Sequence, residues 1–236
     1  MLGQPKLAVT KPSPVPSPAA EDYLKSIYAL ARSGSAVATS ALAERLGVSG
    51  ASVTGMLKKL AASGLVEHEK YQGARLTEAG RLVAVETIRH HRIVETYLHQ
   101  ALGVPWDRLH AEAEALEHVL SEDLEARMDA ALGHPTHDPH GAPIPTPDLV
   151  LDERDLLPLA RLEAGRSATV ARVSDHDPAL LRAVGAAGLF PGVRFRLAAV
   201  TAGGALLAQL LSGDRAGESV GLDADVAPFL FLDDVS

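Results

Sequence analysis

The chain contains no cysteine in its 236 residues, which excludes disulfides, zinc–thiolate centres and thiol catalysis. No apolar run approaches the ~18 residues of a membrane-spanning helix, so no membrane partner is expected. Pro5, Pro12, Pro14, Pro16 and Pro18 crowd the start of the chain, without the apolar core of an export signal. Residues 1–20 therefore read as a disordered arm, and a cytoplasmic protein is expected. Enzyme signatures are missing as well. There is no Gly-x-Ser-x-Gly elbow and no Walker loop, and the run Glu114-Ala115-Leu116-Glu117-His118 lacks the first histidine of a metalloprotease helix. The chain is not expected to be an enzyme.

What is present is enough for two or three small domains, with 47% hydrophobic residues to build their cores. The net charge of −8 is unevenly spread. Residues 1–75 hold nine Lys/Arg against five Asp/Glu, a surplus of four, and the remainder holds 13 against 25, a deficit of twelve. The basic excess sits in one segment, as expected if that segment alone meets phosphate. Chance fluctuation is the competing account of so small an imbalance.

Helical spacing of Tyr23, Leu24, Ile27, Tyr28 and Ala31 predicts a first helix over 21–32. Thr39 or Ser40 can cap a second, which stops at Gly47, and Ser49 can cap a third carrying Val53, Leu57 and Leu60. Two short helices joined by Gly47-Val48-Ser49 make a helix-turn-helix, whose second helix suits a DNA major groove. Residues 65–76, with a turn at Gln72-Gly73, read as a two-stranded wing in which Lys70 and Arg75 suit phosphate contact. A long amphipathic helix follows over 77–101, and Asp107 caps another expected to run to about residue 132. A domain of ~75 residues cannot bury both, so an apolar face is left for a second subunit or for the C-terminal segment. The turn-rich link from Gly133 to Pro147 leads to short β runs at 168–173, 193–200, 205–211, 218–222 and 229–232, interrupted by a helix near 178–187. That pattern suggests a small barrel.

His110, Glu114, Glu117 and His118 are spaced 0, 4, 7 and 8, which places them within roughly a 100° arc of one helix face. Two imidazoles and two carboxylates on one face suit a divalent cation. His91 and Glu95 repeat the relation on the preceding helix. A solvated amphipathic face is the competing account, weakened because both helices present such pairs. For His134, His137 and His140, turn chemistry set by the proline spacing is favoured over a further metal site.

At this point the chain resembles the diphtheria toxin repressor family of metal-dependent regulators. The resemblance rests on Glu21-Asp22-Tyr23-Leu24, Leu42-Ala43-Glu44-Arg45-Leu46, Gly64-Leu65-Val66, Leu76-Thr77-Glu78-Ala79-Gly80, His91-Arg92, His110-Ala111-Glu112-Ala113-Glu114, Glu117-His118-Val119 and the Pro-His-Gly-Ala-Pro-Ile-Pro link. It covers residues 21–148 well and the rest more loosely. It implies an α+β, mostly α architecture: an N-terminal winged helix-turn-helix (21–80), a helical metal-binding and dimerisation domain (81–148), and a linker with a C-terminal SH3-like small β-barrel (149–236).

By position, the resemblance implies a primary site of Asp22, Glu114, Glu117 and His118. It implies an ancillary site of His91, Glu95 and His110, with Asp175, His176 or Asp177 as a completing ligand. Iron-type members carry Met and Cys where this chain has Asp22 and Glu114, whereas manganese-type members carry Asp and Glu. Hard oxygen ligands suit Mn²⁺, with Fe²⁺ as the alternative. Lys25 stands where two-metal members carry Glu, and its ammonium argues for one primary ion with a separate ancillary one. A cation joining Asp22 to the later helices would set the separation of two recognition helices in a homodimer on double-stranded operator DNA. The DNA-facing positions map to Ser49, Ala51, Ser52, Thr54 and Gly55, with Lys58 and Lys59 nearby. Gly55 stands where the family often has Gln, so the operator cannot be borrowed. The expected function is a manganese-activated repressor of metal-uptake genes. The competing one is a metal-storage or interaction module with a vestigial winged helix.

Overall fold

The computed structural model describes residues 16–31, 35–69, 72–152 and 154–236. Residues 1–15 of the expected arm and Lys70 lie outside them. Two compact units divide the chain, 1–84 and 85–236.

In the first unit, α1 (Pro18–Leu30), α2 (Thr39–Leu46) and α3 (Gly50–Ala62) precede strands β1 (Val66–Glu69) and β2 (Gly73–Leu76). Helix α1 starts inside the stretch expected to be disordered. Pro18 is its first residue, where the fixed φ suits a helix and the missing amide hydrogen costs nothing. Helix α2 takes Ala38 as its cap, without a side-chain hydrogen bond, so neither Thr39 nor Ser40 caps it. It ends at Gly47 with φ +64°, the left-handed residue a tight turn needs. Ser49 caps α3 as expected, its Oγ accepting from the Ser52 amide at 3.1 Å. Leu24, Ile27, Leu42, Val53, Leu57 and Leu60 form one core with Val66 and Ala74 of the ribbon. The strands pair antiparallel, with Glu69 opposite Gly73. Thr77 locks the ribbon to α4 (Glu78–Leu102): its Oγ1 donates to the Gly64 carbonyl at 2.7 Å and accepts from the Gly80 amide at 3.1 Å.

The second unit holds most of α4, then α5 (Leu109–Leu116) and α6 (Glu122–Ala131). The single helix expected from Asp107 to about 132 is four pieces. A 3₁₀ turn, Trp106–Arg108, leads into α5, and another, Glu117–Val119, follows it. Leu120 then turns extended (ψ 126°), and Ser121 caps α6 by accepting from the Leu124 amide at 3.3 Å. Serine at this position offers the backbone an alternative to continuing the helix.

Beyond the link come β3 (Leu157–Pro158), β4 (Ser167–Val173), α7 (Pro178–Ala186), β5 (Arg194–Val200), β6 (Leu206–Leu210), β7 (Ser219–Leu222) and β8 (Leu230–Asp233). They form an antiparallel sheet in the order β3-β8-β4-β5-β6-β7, bent by bulges in β4 and β5. This is an SH3-like β domain. Alternation along β6 buries Leu206, Ala208 and Leu210 against Phe195 and Leu197 of β5 and Leu181 of α7.

The link between the helices and this sheet is pinned at both sides. Asp138 Oδ1 accepts from the His140 and Ala142 amides at 2.8 and 2.9 Å, closing a tight turn. The Val173 amide of β4 donates to the His140 carbonyl at 2.9 Å. Gly141 has φ +85°, and a Cβ there would lie 2.0 Å from the Ala171 carbonyl oxygen, so only glycine fits. From α4, Arg89 donates to the Pro145 carbonyl at 2.6 Å, and Arg92 donates to the Pro143 carbonyl.

Candidate metal centre

Among the described residues, several groups of ligand-type side chains meet around α4 in the second unit, and two of them share His91. In the first, His91, Glu95, His110 and Asp175 each offer an atom, all within 4.8 Å of one another. His91 and Glu95 are one turn apart on α4, His110 opens α5, and Asp175 lies in the loop between β4 and α7. Glu95 is fully buried, and its Oε1 lies 3.3 Å from His91 Nε2. His110 Nδ1 is 3.2 Å from that same Nε2 and 3.7 Å from Asp175 Oδ2. Two imidazole nitrogens facing each other beside two carboxylates form the arrangement a cation completes, because both lone pairs can then point at it.

The second group is His91, Glu114 and Glu117. His91 Nδ1 is hydrogen-bonded to Glu117 Oε2 and lies 3.8 Å from Glu114 Oε1. His118 Nε2 is 3.5 Å from Glu117 Oε1. Glu117 and His118 sit on the 3₁₀ turn, so an arc drawn at 100° per residue does not describe how they converge. His91 thus has one ring nitrogen in each group. A neutral imidazole has one lone pair, so it can serve one cation at a time while its other nitrogen donates to a carboxylate.

Of the three residues suggested to complete the ancillary group, the structure brings in Asp175. His176 is half-exposed, with its Nδ1 3.2 Å from Asp175 Oδ1 and its ring edge-on to His110. Asp177 caps α7 instead, its Oδ1 accepting from the Ala179 amide at 2.8 Å and the Leu180 amide at 3.4 Å. Asp22 and Lys25 lie on α1 of the first unit.

Asp138, which sequence reasoning left out, and His140, for which it favoured turn chemistry, join Glu95 here. Asp138 and His140 are both buried and form a further group with Glu95. His140 Nδ1 lies 3.6 Å from Glu95 Oε1. His134 and His137 match turn chemistry. His134 takes φ +59° and bonds Asp129 at 2.8 Å, and His137 pairs with the Thr136 hydroxyl. His140 departs from it, because the tight turn carries its side chain inward. The signal was an acid two residues before the histidine, next to a glycine that permits the turn.

Electrostatics mark the cluster as short of positive charge. Burial alone pulls His91 down, but the hydrogen bond to Glu117 and the close negative charge of Glu95 outweigh it and raise the imidazole to about 10. Burial likewise opposes charge on His140, yet Glu95, Asp138 and Asp175 lift it to about 9. Glu95 is pushed up by burial and held well below the carboxylate range by its two histidines. Burial and the nearby Glu95 raise Asp138 to about 7. Burial and Glu95 push Asp175 up, but the imidazoles of His176, His110 and His140 hold it below its ordinary value. Both Glu95 oxygens, Asp138 Oδ2 and His140 Nδ1 are buried without a hydrogen bond. Buried polar atoms left so are costly, and a divalent cation fits them: all donors are hard oxygens or imidazole nitrogens.

In the first unit, Ser49, Ala51, Ser52, Gly55, Lys58 and Lys59 are exposed on α3 opposite the buried Val53, Leu57 and Leu60. Thr54 is half-buried, with its hydroxyl donating to the Gly50 carbonyl at 2.8 Å, and Arg75 is exposed on β2. The helix therefore offers one solvent face of small and basic residues, as groove entry requires.

A winged helix-turn-helix, followed by helices that gather buried histidines and carboxylates, defines a metal-responsive DNA-binding regulator. Comparison with known proteins agrees along the chain. Residues 17–74 match the iron-dependent repressor N-terminal DNA-binding domain, 77–146 its metal-binding and dimerisation domain, and 157–227 the FeoA domain. The iron-dependent repressor IdeR of Mycobacterium tuberculosis is 34% identical over 196 residues, spanning 78% of this chain and 85% of that protein. The diphtheria toxin repressor of Corynebacterium diphtheriae is 34% identical over 125 residues, 53% of this chain and 55% of that one. A solved manganese-dependent transcriptional repressor in complex with manganese superposes with a TM-score of 0.80 at 40% identity, covering 90% of this chain and 98% of that one. The manganese regulator SloR gives 0.70 at 32%, covering 91% and 97%. The chain belongs to the iron-dependent repressor family, and it is a metal-dependent DNA-binding transcriptional repressor rather than an enzyme.

Proposed function

We propose that this repressor is activated by Mn²⁺, acts as a homodimer on operator DNA in the cytoplasm, and controls metal-uptake genes. The observation that carries the metal assignment is the donor set: imidazoles and carboxylates gathered around α4, in a chain with no cysteine. Hard oxygen donors suit Mn²⁺, the weakest binder of its series, and leave no preference for softer ions. Two similar structures are named for manganese. Relatives named for iron keep Fe²⁺ as the second reading.

In this reading Glu114, Glu117 and His118 hold the primary ion, and Asp22 on α1 joins them on the strength of the family resemblance. His91, Glu95, His110 and Asp175 hold the ancillary ion, with Asp138 and His140 adjoining through Glu95. His91 gives its Nε2 lone pair to the ancillary group and donates Nδ1–H to Glu117, which links the two. The cation supplies the positive charge these carboxylates otherwise lack.

Ser49, Ala51, Ser52, Thr54, Gly55, Lys58, Lys59, Lys70 and Arg75 form the DNA-facing set, the lysines and arginine acting on phosphate. Leu102, Leu116, Val119 and Leu124 are exposed on the helices of the second unit and suit a self-complementary interface. No helix among the described residues is long and apolar enough to cross a membrane.

The test is a mobility shift on DNA upstream of metal-transporter genes. Mn²⁺ should tighten binding at least tenfold over chelator, and Glu114→Ala should abolish that response. Equal affinity with and without metal overturns the proposal, and a response to Fe²⁺ alone replaces manganese by iron.

A further inference from the structure

Trp106, the only tryptophan of the chain, sits between the buried cation cluster and the C-terminal β domain. Its backbone carbonyl lies 2.9 Å from His140 Nε2. A carbonyl only accepts, so Nε2 carries the hydrogen, and Nδ1 is the nitrogen left facing Glu95 Oε1 at 3.6 Å. The indole ring stacks on the same imidazole, with centroids 5.5 Å apart and planes at 28°. The ring also tilts against Phe190, with centroids 4.9 Å apart. Gly185 of α7 lies beneath it, where a Cβ would come within 3.1 Å of the indole nitrogen. Asp107, the next residue, pairs with Arg182 of α7 at 3.1 Å.

None of these contacts uses Trp106 as a ligand, yet together they fix which His140 nitrogen faces the cluster and how its ring is tilted. The backbone of the link places His140 through Gly141 and the Val173 amide, and neither contact sets the ring's rotation. Stacking and the Nε2 bond do. In a site where a histidine's second nitrogen is held by a carbonyl, the partner that orients the ring also tunes its affinity.

We propose that Trp106 is a positioning residue for the buried cation site, holding His140 with Nδ1 toward Glu95 while itself being seated on Gly185 and Phe190 of the β domain. That domain thereby shapes the site twice, through Asp175 and through the indole seat. The inference rests on the metal reading above.

The experiment follows Mn²⁺ binding to the full chain by the disappearance of the free-ion electron paramagnetic signal, with tryptophan emission recorded in a parallel Cd²⁺ titration. Cd²⁺ has no unpaired electrons, so an emission change reports the ring's surroundings rather than paramagnetic quenching. In the wild type, one binding equivalent lost in Glu95→Gln marks the buried site. Trp106→Ala should weaken that equivalent at least tenfold and leave the others unchanged, whereas Trp106→Phe, which keeps a stacking ring, should stay within about threefold. Gly185→Ala, which alters neither ligand nor indole, should give an intermediate loss and blunt the Cd²⁺ emission change. If Trp106→Ala fails to fold, the Gly185→Ala and Trp106→Phe pair decides alone. Wild-type affinity in Gly185→Ala, or emission indifferent to Cd²⁺ in the wild type, overturns the role of Trp106. A wild type without the Glu95-dependent equivalent overturns the site itself.

Discussion

If the proposed assignment holds, charge around Glu95 governs how the protein takes up its cation. His91 and His140 are raised to about 10 and about 9 by the carboxylates they face, so near neutral pH both carry the proton that stands in for a metal. Coordination needs a neutral imidazole, so binding must expel those protons. The sign follows directly. The folded pKa values exceed the ordinary histidine value, so these protons stabilise the metal-free fold fully below about pH 6.5, and that contribution is lost as the pH rises through 9 to 10. Metal affinity moves the other way and climbs with pH over the same window. Calorimetry at pH 7.5 in buffers of different ionisation enthalpy should show about two protons released per chain on Mn²⁺ binding, rising with the share Asp138 still holds. Release indistinguishable from zero would contradict the assignment of both histidines. At this scale the sequence carried most of the chemistry. His91, Glu95 and His110 stand out by spacing because two of them share a helix turn. Asp175 could not be separated from Asp177, since both are short acids in one loop, and only the start of α7 decides which one is taken as a cap. His140 was hidden because the direction of a side chain in a turn depends on the backbone path, which no periodicity reports.

Among elements, the break after Val119 has the largest effect on the site. A continuous helix would carry Glu117 and His118 onward at a fixed 100° per residue. The 3₁₀ turn and the extended Leu120 allow Glu117 to bury against His91 while α6 starts afresh at Ser121. The hydrophobic pattern runs through this break, which is why the two helices read as one, and only Ser121 hinted at a new cap. Pro18 shows the converse case, since a proline-rich run suggests disorder while the last proline of that run also suits a helix start. The helix-turn-helix and ribbon were legible because Gly47, Ser49 and Gly73 each have a conformational reason to sit where they do. The turn at Asp138–Ala142 is the element most exposed to a single change. Gly141→Ala meets both an unfavourable φ and the Ala171 carbonyl, and should cost roughly 2–5 kcal/mol. Chemical denaturation would show this loss together with weakened Mn²⁺ binding, since His140 rides on the same turn. A variant as stable as the wild type would mean that the link can pack another way.

For the whole molecule, the apolar surface left on the helices bears on assembly. Leu102 and Leu124 are 63% and 47% exposed on the helices of the second unit, apolar surface that a partner subunit would cover. Leu102→Glu combined with Leu124→Glu places charge on that surface without touching a proposed ligand. Sedimentation should show the wild type as a dimer and the variant as a monomer that still binds Mn²⁺, with operator affinity reduced at least tenfold. A variant that remains dimeric would move the interface elsewhere. The order of domains was readable from the switch between helical and alternating patterns. The pairing order of the strands was not, because β8 inserts between β3 and β4 and its sequence carries no trace of its neighbours.

With Asp175 as the proposed completing ligand, the cation would also be a removable crosslink. It would tie residue 110 to residue 175 across the link and the first strands of the sheet, and closing a loop of that size lowers the entropy of the unfolded chain by the equivalent of about 4 kcal/mol. The repressor's persistence in the cell would then follow the same free-metal concentration as its activity. Starvation for the ion would not only release the operator but also leave a looser, more easily degraded chain.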